Sequence, residues 1–433
     1  MNFRKKYLLS FLLLIALLLT VISCDTTEPP STALINLKLE DVSCTEAWMT
    51  LTNTNLPLPT IITIKQNDQT LRTINLVKAD TLLCIDSLLP NQTYKYQVSS
   101  IQQQVSSNEL SVTTMDTTSH NFTWQTWTFG ENSNSILYDV AIIDENNICA
   151  VGEIYLNDSL GQPDPILYNV AIWDGQNWSV QRIPYYYQGQ PFYHSIQSVY
   201  PFYSNDIWFC GNGVIHWDGI NYIPVGIPAS VWGSDQINRI WGINKDDIYI
   251  VGDNGKIAHL NITNWQKISS CVTSNINDVW GFINNEGIKT TYCAASFVFQ
   301  PGERKVLRIN NNNVVDSVPW NSDKRVHSVW AKNKYKQFAC GDGVFINSEL
   351  GVNWKEQTEL PLYYSRRIRG TDLNNILVVG DYGFFAHYSG TKWKVYDELA
   401  VSGIYMSVDI KRNICATVGL ESSKAVIVMG NRN

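Results

Sequence analysis

Charge is scarce in this sequence. Asp, Glu, Lys and Arg make up 16% of 433 residues, against 44% apolar residues. So low a charge content excludes a disordered polyelectrolyte and fits a folded, well-buried protein. Positive charge is scarcer than negative, 32 basic against 39 acidic residues, which argues against nucleic acid as a partner and against an electrostatic grip on anionic lipid. Histidine occurs six times, and no Cys-x-x-Cys or Cys/His spacing marks a zinc site. There is no Gly-x-Ser-x-Gly elbow, phosphate loop or helix-loop-helix calcium loop. No carboxylate pair stands at a fixed catalytic spacing, so neither a cofactor nor a metal is expected. Long apolar runs are absent except one, Leu8 to Ile22, which is too short to span a bilayer comfortably.

That run follows Arg4, Lys5 and Lys6 and ends in Val21-Ile22-Ser23-Cys24. The pattern resembles a bacterial lipobox; an ordinary signal peptide with a chance cysteine is the alternative. The resemblance implies that residues 1–23 are removed, that Cys24 is lipidated, and that 24–33 form a tether. Anchoring through several acyl chains is stable because each buried methylene contributes roughly 0.8 kcal/mol. The expected location is the bacterial cell envelope, at the outer membrane or cell surface rather than the inner membrane.

What the chain has in abundance is aromatic residues, with 15 Trp and 22 Tyr, and a repeat. DIYIVGDNGKIAHLNITNW (247–265) and NILVVGDYGFFAHYSGTKW (375–393) share one phrase, and DIWFCGNGVIHWDGINY (206–222) is a weaker copy. Each reads as strand, tight turn, strand, turn and an aromatic-led strand, preceded by another apolar strand such as INRIWGI (237–243). About 40 residues in four short strands is the pattern of a β-propeller blade. Seven blades are expected over 122–433, with six and eight as alternatives. The seventh runs out of chain after three strands, and FTWQTWTFG (122–130) reads as its outer strand, supplied from the front to cover an open sheet edge. Before the propeller, residues 34–115 alternate apolar and polar over six or seven short strands. Leu89-Pro90-Asn91-Gln92-Thr93-Tyr94-Lys95-Tyr96-Gln97-Val98 resembles the fibronectin type III signature, with Trp48 at the place of its core tryptophan. The resemblance implies an immunoglobulin-like sandwich, with Tyr94 pinning a corner through its hydroxyl, and a spacer or adhesion role. The fold class is therefore all-β, a sandwich followed by a propeller.

The turn GVNW in NSELGVNW (347–354), with Glu349 at the acidic place and Asn347 for serine, resembles the Asp-box of sialidase-like repeats; DGQNW (174–178) and SGTKW (389–393) are looser relatives. The whole repeat is similar to bacterial secreted propellers grouped with sialidase-like, photosystem-assembly-factor-like and WD-repeat-like proteins. Aligning the blades gives one inner-strand column, Asp139, Ser198, Arg239, Asp278, Ser328, Arg367 and Tyr405. This column is either a solvated or mutually paired polar ring or a channel where Arg239 and Arg367, beside Asp278, hold a small anionic or polar ligand. His216, His259 and His387 share one repeat position, which makes them scaffold. Cys149, Cys210, Cys340 and Cys415 read as buried thiols, Cys149 and Cys415 at one blade position. A Cys44–Cys84 disulfide is open to an exported protein.

Function is expected where the repeat is interrupted, at 153–166, 182–195 and 297–305. Connections from second to third strands and from blade to blade emerge on one face, and loops on a rigid scaffold often carry function. Tyr185, Tyr186, Tyr187, Phe192 and Tyr193 would form an aromatic patch there, suited to a protein or glycan, unless they fold back over the blade edge. The reading is a lipid-anchored binding, adhesion or scaffold protein. The alternative is a carbohydrate-active enzyme with a sialidase-like ring.

Overall fold

The computed structural model describes residues 34–348 and 353–433. The signal segment, Cys24, the tether and Glu349 lie outside these residues. The chain divides into two compact units, one built from residues up to Glu40 with Ala47–Ile85 and Thr93–Thr113, the other from Asp41–Glu46, Asp86–Gln92 and Thr114–Asn433.

The first unit holds two antiparallel sheets. Leu34–Val42, Ala47–Thr54 and Asp80–Ile85 form one; Gln69–Leu76, Thr60–Gln66, Thr93–Ser100 and Val105–Ser106 form the other, with Leu110–Thr113 also on Thr93–Ser100. Its strands alternate because one face of each is apolar: Ile35, Leu37, Leu51, Ile62, Ile64, Tyr96 and Val98 are buried, as is Trp48. Tyr94 is half-buried. Cys44 is a free thiol that donates to the Asp116 carbonyl at 3.2 Å, so the Cys44–Cys84 disulfide is not formed.

The second unit is a β-propeller of seven four-stranded antiparallel sheets. The inner strands are Ile136–Asp144, Ile196–Tyr203, Ile237–Asn244, Ile276–Ile283, Val326–Ala331, Ser365–Asp372 and Ile404–Lys411, defining blades 1 to 7. Each lies beside the next, and the seventh returns to the first. In blade 7 the fourth strand is Phe122–Phe129. It pairs along its whole length with Lys424–Arg432, from Phe122 opposite Arg432 to Phe129 opposite Ala425. The apolar core lies between blades. Trp127 packs with Val140, Ala150, Val418 and Ile427 between blades 7 and 1, while Trp124 packs with Leu377, Phe385 and Val428 between blades 6 and 7.

Two backbone features repeat. The first is a close approach at the end of the second strand. A Cβ on Gly252 would lie 2.0 Å from the Gln236 carbonyl oxygen, and one on Gly380 2.2 Å from that of Tyr364. This glycine is kept for closeness, not for a left-handed φ. The second is a bulge in each inner strand, falling between Ile237 and Arg239 in blade 3 and between Ile276 and Asp278 in blade 4. A bulge re-aims the side chain that follows it. It also corrects the column in blade 7, where the shift falls between Tyr405 and Ser407. Ser407 is the column residue. Tyr405 takes the place of Ile237, in the core between blades 6 and 7.

Repeat histidines are scaffold groups. His216 Nε2 meets Asp206 at 2.8 Å and His259 Nε2 meets Asp247 at 2.8 Å, each stacked on an aromatic ring, Trp208 and Tyr249. His387 uses Asn375 at 3.0 Å instead, and its Nδ1 lies 2.8 Å from that of His120. Cys149 pairs with Ala141 and Cys415 with Ile410, so the two are one position out of step rather than equivalent. Cys149, Cys210, Cys340 and Cys415 are all buried.

Candidate functional site: the central channel

Seven column residues project from the inner strands just after the bulges: Asp139, Ser198, Arg239, Asp278, Ser328, Arg367 and Ser407. In blade order they run Asp-Ser-Arg, Asp-Ser-Arg, Ser, and every one is buried. The two triplets make the same bonds. Asp139 accepts from the Ser198 hydroxyl at 2.8 Å and from the Val199 amide at 3.0 Å. Asp278 accepts from the Ser328 hydroxyl at 2.5 Å and from the Val329 amide at 3.1 Å. Each aspartate thus holds the next blade by side chain and backbone together. Ser407 donates to the other oxygen of Asp139 at 2.7 Å, tying blade 7 to blade 1.

The arginines converge on these carboxylates. Arg239 pairs with Asp139 and lies 3.4 Å from Asp278. Arg367 approaches Asp278 to 2.6 Å. Arg369, two residues beyond the column, meets both Asp278 oxygens in a fork, at 2.9 and 2.7 Å, the bidentate geometry that best suits guanidinium and carboxylate. Three guanidiniums therefore close around one internal carboxylate. Burial alone would raise Asp278, but Arg367, Arg369 and Arg239 hold it far below the usual carboxylate range. Asp139 is likewise held down against its burial by Arg239 and Arg367. Burial, and next the neighbouring Arg239, push Arg367 in the direction of losing its proton.

The sequence therefore places Arg239, Asp278 and Arg367 together, and the outcome is the mutually paired ring rather than three free ligand contacts. The pairing is incomplete on one side. Arg239 Nε and Nη2 and Arg367 Nε make no hydrogen bond among the described residues. Arg239 also lines a cavity of about 240 Å³ at the end of the channel where the inner strands finish, with Asp139, Tyr200, Trp241, Trp280, Arg369 and Asp409 around it. Arg369 lies over the Trp280 ring at 4.8 Å. Asp409 accepts from the Ile142 amide at 2.8 Å, and burial pushes its carboxyl up to about 6. A charged floor under aromatic walls can hold a small polar group. Arg369, Asp409 and these aromatics escaped the sequence column because they sit two residues further along each strand. The triplet period of the column is the signal that could have drawn attention to the site.

At the opposite end, where blade-to-blade links and second-to-third turns emerge, the expected aromatic patch is folded inward in part. Tyr185–Tyr187 and Gln190–Phe192 pair as a two-stranded ribbon. Tyr185 is buried in the core between blades 1 and 2, and Phe192 stacks on it at 5.7 Å. Tyr185 is therefore not a surface contact. Tyr193 is half-buried and Tyr186 remains exposed. The insertion 153–166 is tied down by Asp164, which pairs with Arg182 at 2.5 Å, while Arg182 lies 3.8 Å from the centre of the Tyr168 ring. In the loop 297–305, Phe299 is exposed. Of the Asp-box-like turn, Asn347 and Trp354 are buried in blade 5.

No family model matches the sequence, and no curated protein matches it. Solved structures do resemble the fold. The chain is similar to "YCF48 bound to D1 peptide", with a TM-score of 0.51 and 13% identity over 72% of this chain and 97% of that one. It is similar also to the WD40 β-propeller domain of Doa1, with a TM-score of 0.52 and 12% identity over 72% and 98% of the two chains. At these identities the likeness speaks for architecture, and it is to β-propellers of the WD40 and YCF48 type.

Proposed function

We propose that the protein is a lipid-anchored, extracytoplasmic scaffold whose propeller binds a protein partner on the face carrying the blade-to-blade links. The observation that carries this reading is the division of the propeller: its central arginines pair with buried aspartates of the ring, while departures from the repeat expose aromatic side chains at the rim, among them Tyr186, Phe299, Tyr363 and Tyr382. Exposed aromatics on a rigid rim favour protein contact. One propeller of similar fold is described with a bound peptide, which supports a peptide-like partner here. Residues 34–115 serve in this reading as a fibronectin type III-like spacer, and Cys24 carries the lipid.

Two measurements test the two halves. In a bacterial host fed an alkyne fatty acid, label on the chain should vanish in Cys24→Ser; label that persists, or never appears, overturns the anchor. A photo-crosslinking residue at Tyr186 or Tyr363 should join one discrete protein partner, whereas one at Lys267, on an outer strand, should not. Equal capture from both places overturns the rim as the binding face.

A further inference from the structure

Blade 6 departs from blade 3 at three positions that are neighbours in space. In blade 3 the turn after the second strand is Asp253-Asn254-Gly255-Lys256, and in blade 6 it is Asp381-Tyr382-Gly383-Phe384. The residue two before the start of the paired inner strand is Asp235 in blade 3 and Tyr363 in blade 6, fixed by the pairs Ile237 with Gly252 and Ser365 with Gly380. The blade 3 group is a polar knot. Asn254 donates to Asp235 at 2.8 Å, and Lys256 forms an ion pair with the same carboxylate. The blade 6 group is aromatic throughout. The Tyr363 ring lies 5.2 Å from that of Tyr382 and 6.2 Å from that of Phe384.

The exchange works against the local conformation. Asn254 has a φ of 57°, which asparagine tolerates, but Tyr382 is held at 61° in the same left-handed turn, where a bulky side chain is disfavoured. The reward is not burial, because Tyr382 is 62% exposed and Tyr363 42%. Strain held for an exposed group is a sign of use rather than of packing. The two tyrosines and Phe384 wall a cleft of about 430 Å³ that is also lined by Glu359 and Asp397. No lysine or arginine lines it, and neither acidic side chain has an ion-pair partner among the described residues. Lys394 lies over the Tyr396 ring at 4.9 Å and is not part of the lining.

Aromatic faces with two unpaired carboxylates complement one kind of group, a cation on an apolar stem. We infer that the blade 6 cleft takes a basic side chain, arginine or lysine, from the peptide segment that the rim binds. This rests on the protein-binding reading above and adds the chemistry of one anchor to it. Arginine suits the cleft best, since its flat guanidinium stacks on tyrosine while its N–H groups reach a carboxylate.

The test uses the full chain and a fluorescein-labelled (Gly-Arg-Gly-Ser)3 peptide, with the same peptide carrying citrulline for arginine as its uncharged twin. Fluorescence anisotropy at low salt should show the arginine peptide binding at least tenfold more tightly. Tyr382→Asn, which installs the residue that blade 3 carries in this turn, should lower that affinity at least fivefold with an unchanged circular dichroism spectrum. Glu359→Gln with Asp397→Asn should do the same. Equal binding of the twin peptides, no binding of either, or full affinity in Tyr382→Asn overturns the assignment. Continued photo-crosslinking from Tyr186 in that case would leave the scaffold reading standing and remove only the basic anchor.

Discussion

Asp278 is the residue on which the propeller's centre depends. It is fully buried and faces Arg239, Arg367 and Arg369, with Ser328 and the Val329 amide as further donors. Removing one partner of a buried pair leaves uncompensated charge, which is worse than never having had the pair. Asp278→Asn should therefore destabilise the propeller by about 3–5 kcal/mol, read from the shift of its urea midpoint. The buried histidines make a second residue-scale prediction. Burial, with His120 and Arg432 nearby, pushes His387 down to about 2, and His120 and His327 are also held below their ordinary value by burial. A base whose folded pKa is depressed gives stability that is present above the unfolded pKa of about 6.5 and is lost as pH falls below it. His387→Gln should flatten the acid-side loss between about pH 6 and pH 4 by about 1.4 kcal/mol per pH unit. Asp409 has the opposite sign. Its carboxyl is raised to about 6, so the folded chain keeps a proton that the unfolded chain has released, and that contribution disappears as pH rises through 6. In Asp409→Asn the acid-side loss should accordingly become steeper, in the same titration of unfolding free energy against pH.

At the scale of the element, the strand Phe122–Phe129 bears most on stability. Its tryptophans serve two different interfaces, Trp124 between blades 6 and 7 and Trp127 between blades 7 and 1. Trp127→Ala should cost about 3 kcal/mol and render Cys415 and Cys149 faster to label with a thiol reagent under native conditions, because both lie in the blades that this strand joins. Unchanged labelling rates would mean that blade 7 holds without it. Elements were legible in the sequence wherever the repeat kept its landmarks. The Trp-Gly that follows the column in blades 3 and 4, Trp241-Gly242 and Trp280-Gly281, fixed those inner strands. Blade 7 reads GIYMSVDI (403–410) and has no such landmark, so alignment on the sequence puts its column residue two positions early, at Tyr405 instead of Ser407. A slip of two preserves which side chains face inward and leaves the alternation looking correct. The tyrosine run at 185–187 misled for a related reason: a strand has two faces, and in a short ribbon one of them, here Tyr185, turns back onto the blade.

For the whole molecule, architecture was readable because a repeat states it many times over, and each copy checks the others. The pairing of charges across the channel was not readable, since Asp139 meets Arg239 and Asp278 meets Arg369 only after the ring has brought distant blades together. The blade 6 cleft lies between these cases. Its residues can be found by setting one blade against another, but only the structure says that the three exchanged positions touch. Ring closure has a consequence in time. Thr123 bonds to Asn431, 308 residues further along the chain. A strand made early must wait, unpaired, for one made late, and Trp124 and Trp127 stay without their cover for the whole of that interval. Closure over so long a separation is slow, because loop entropy must be met before any contact rewards it. While synthesis is unfinished, the strand is a sticky edge that any other chain can pair with, and the cell must keep it company until its partner arrives.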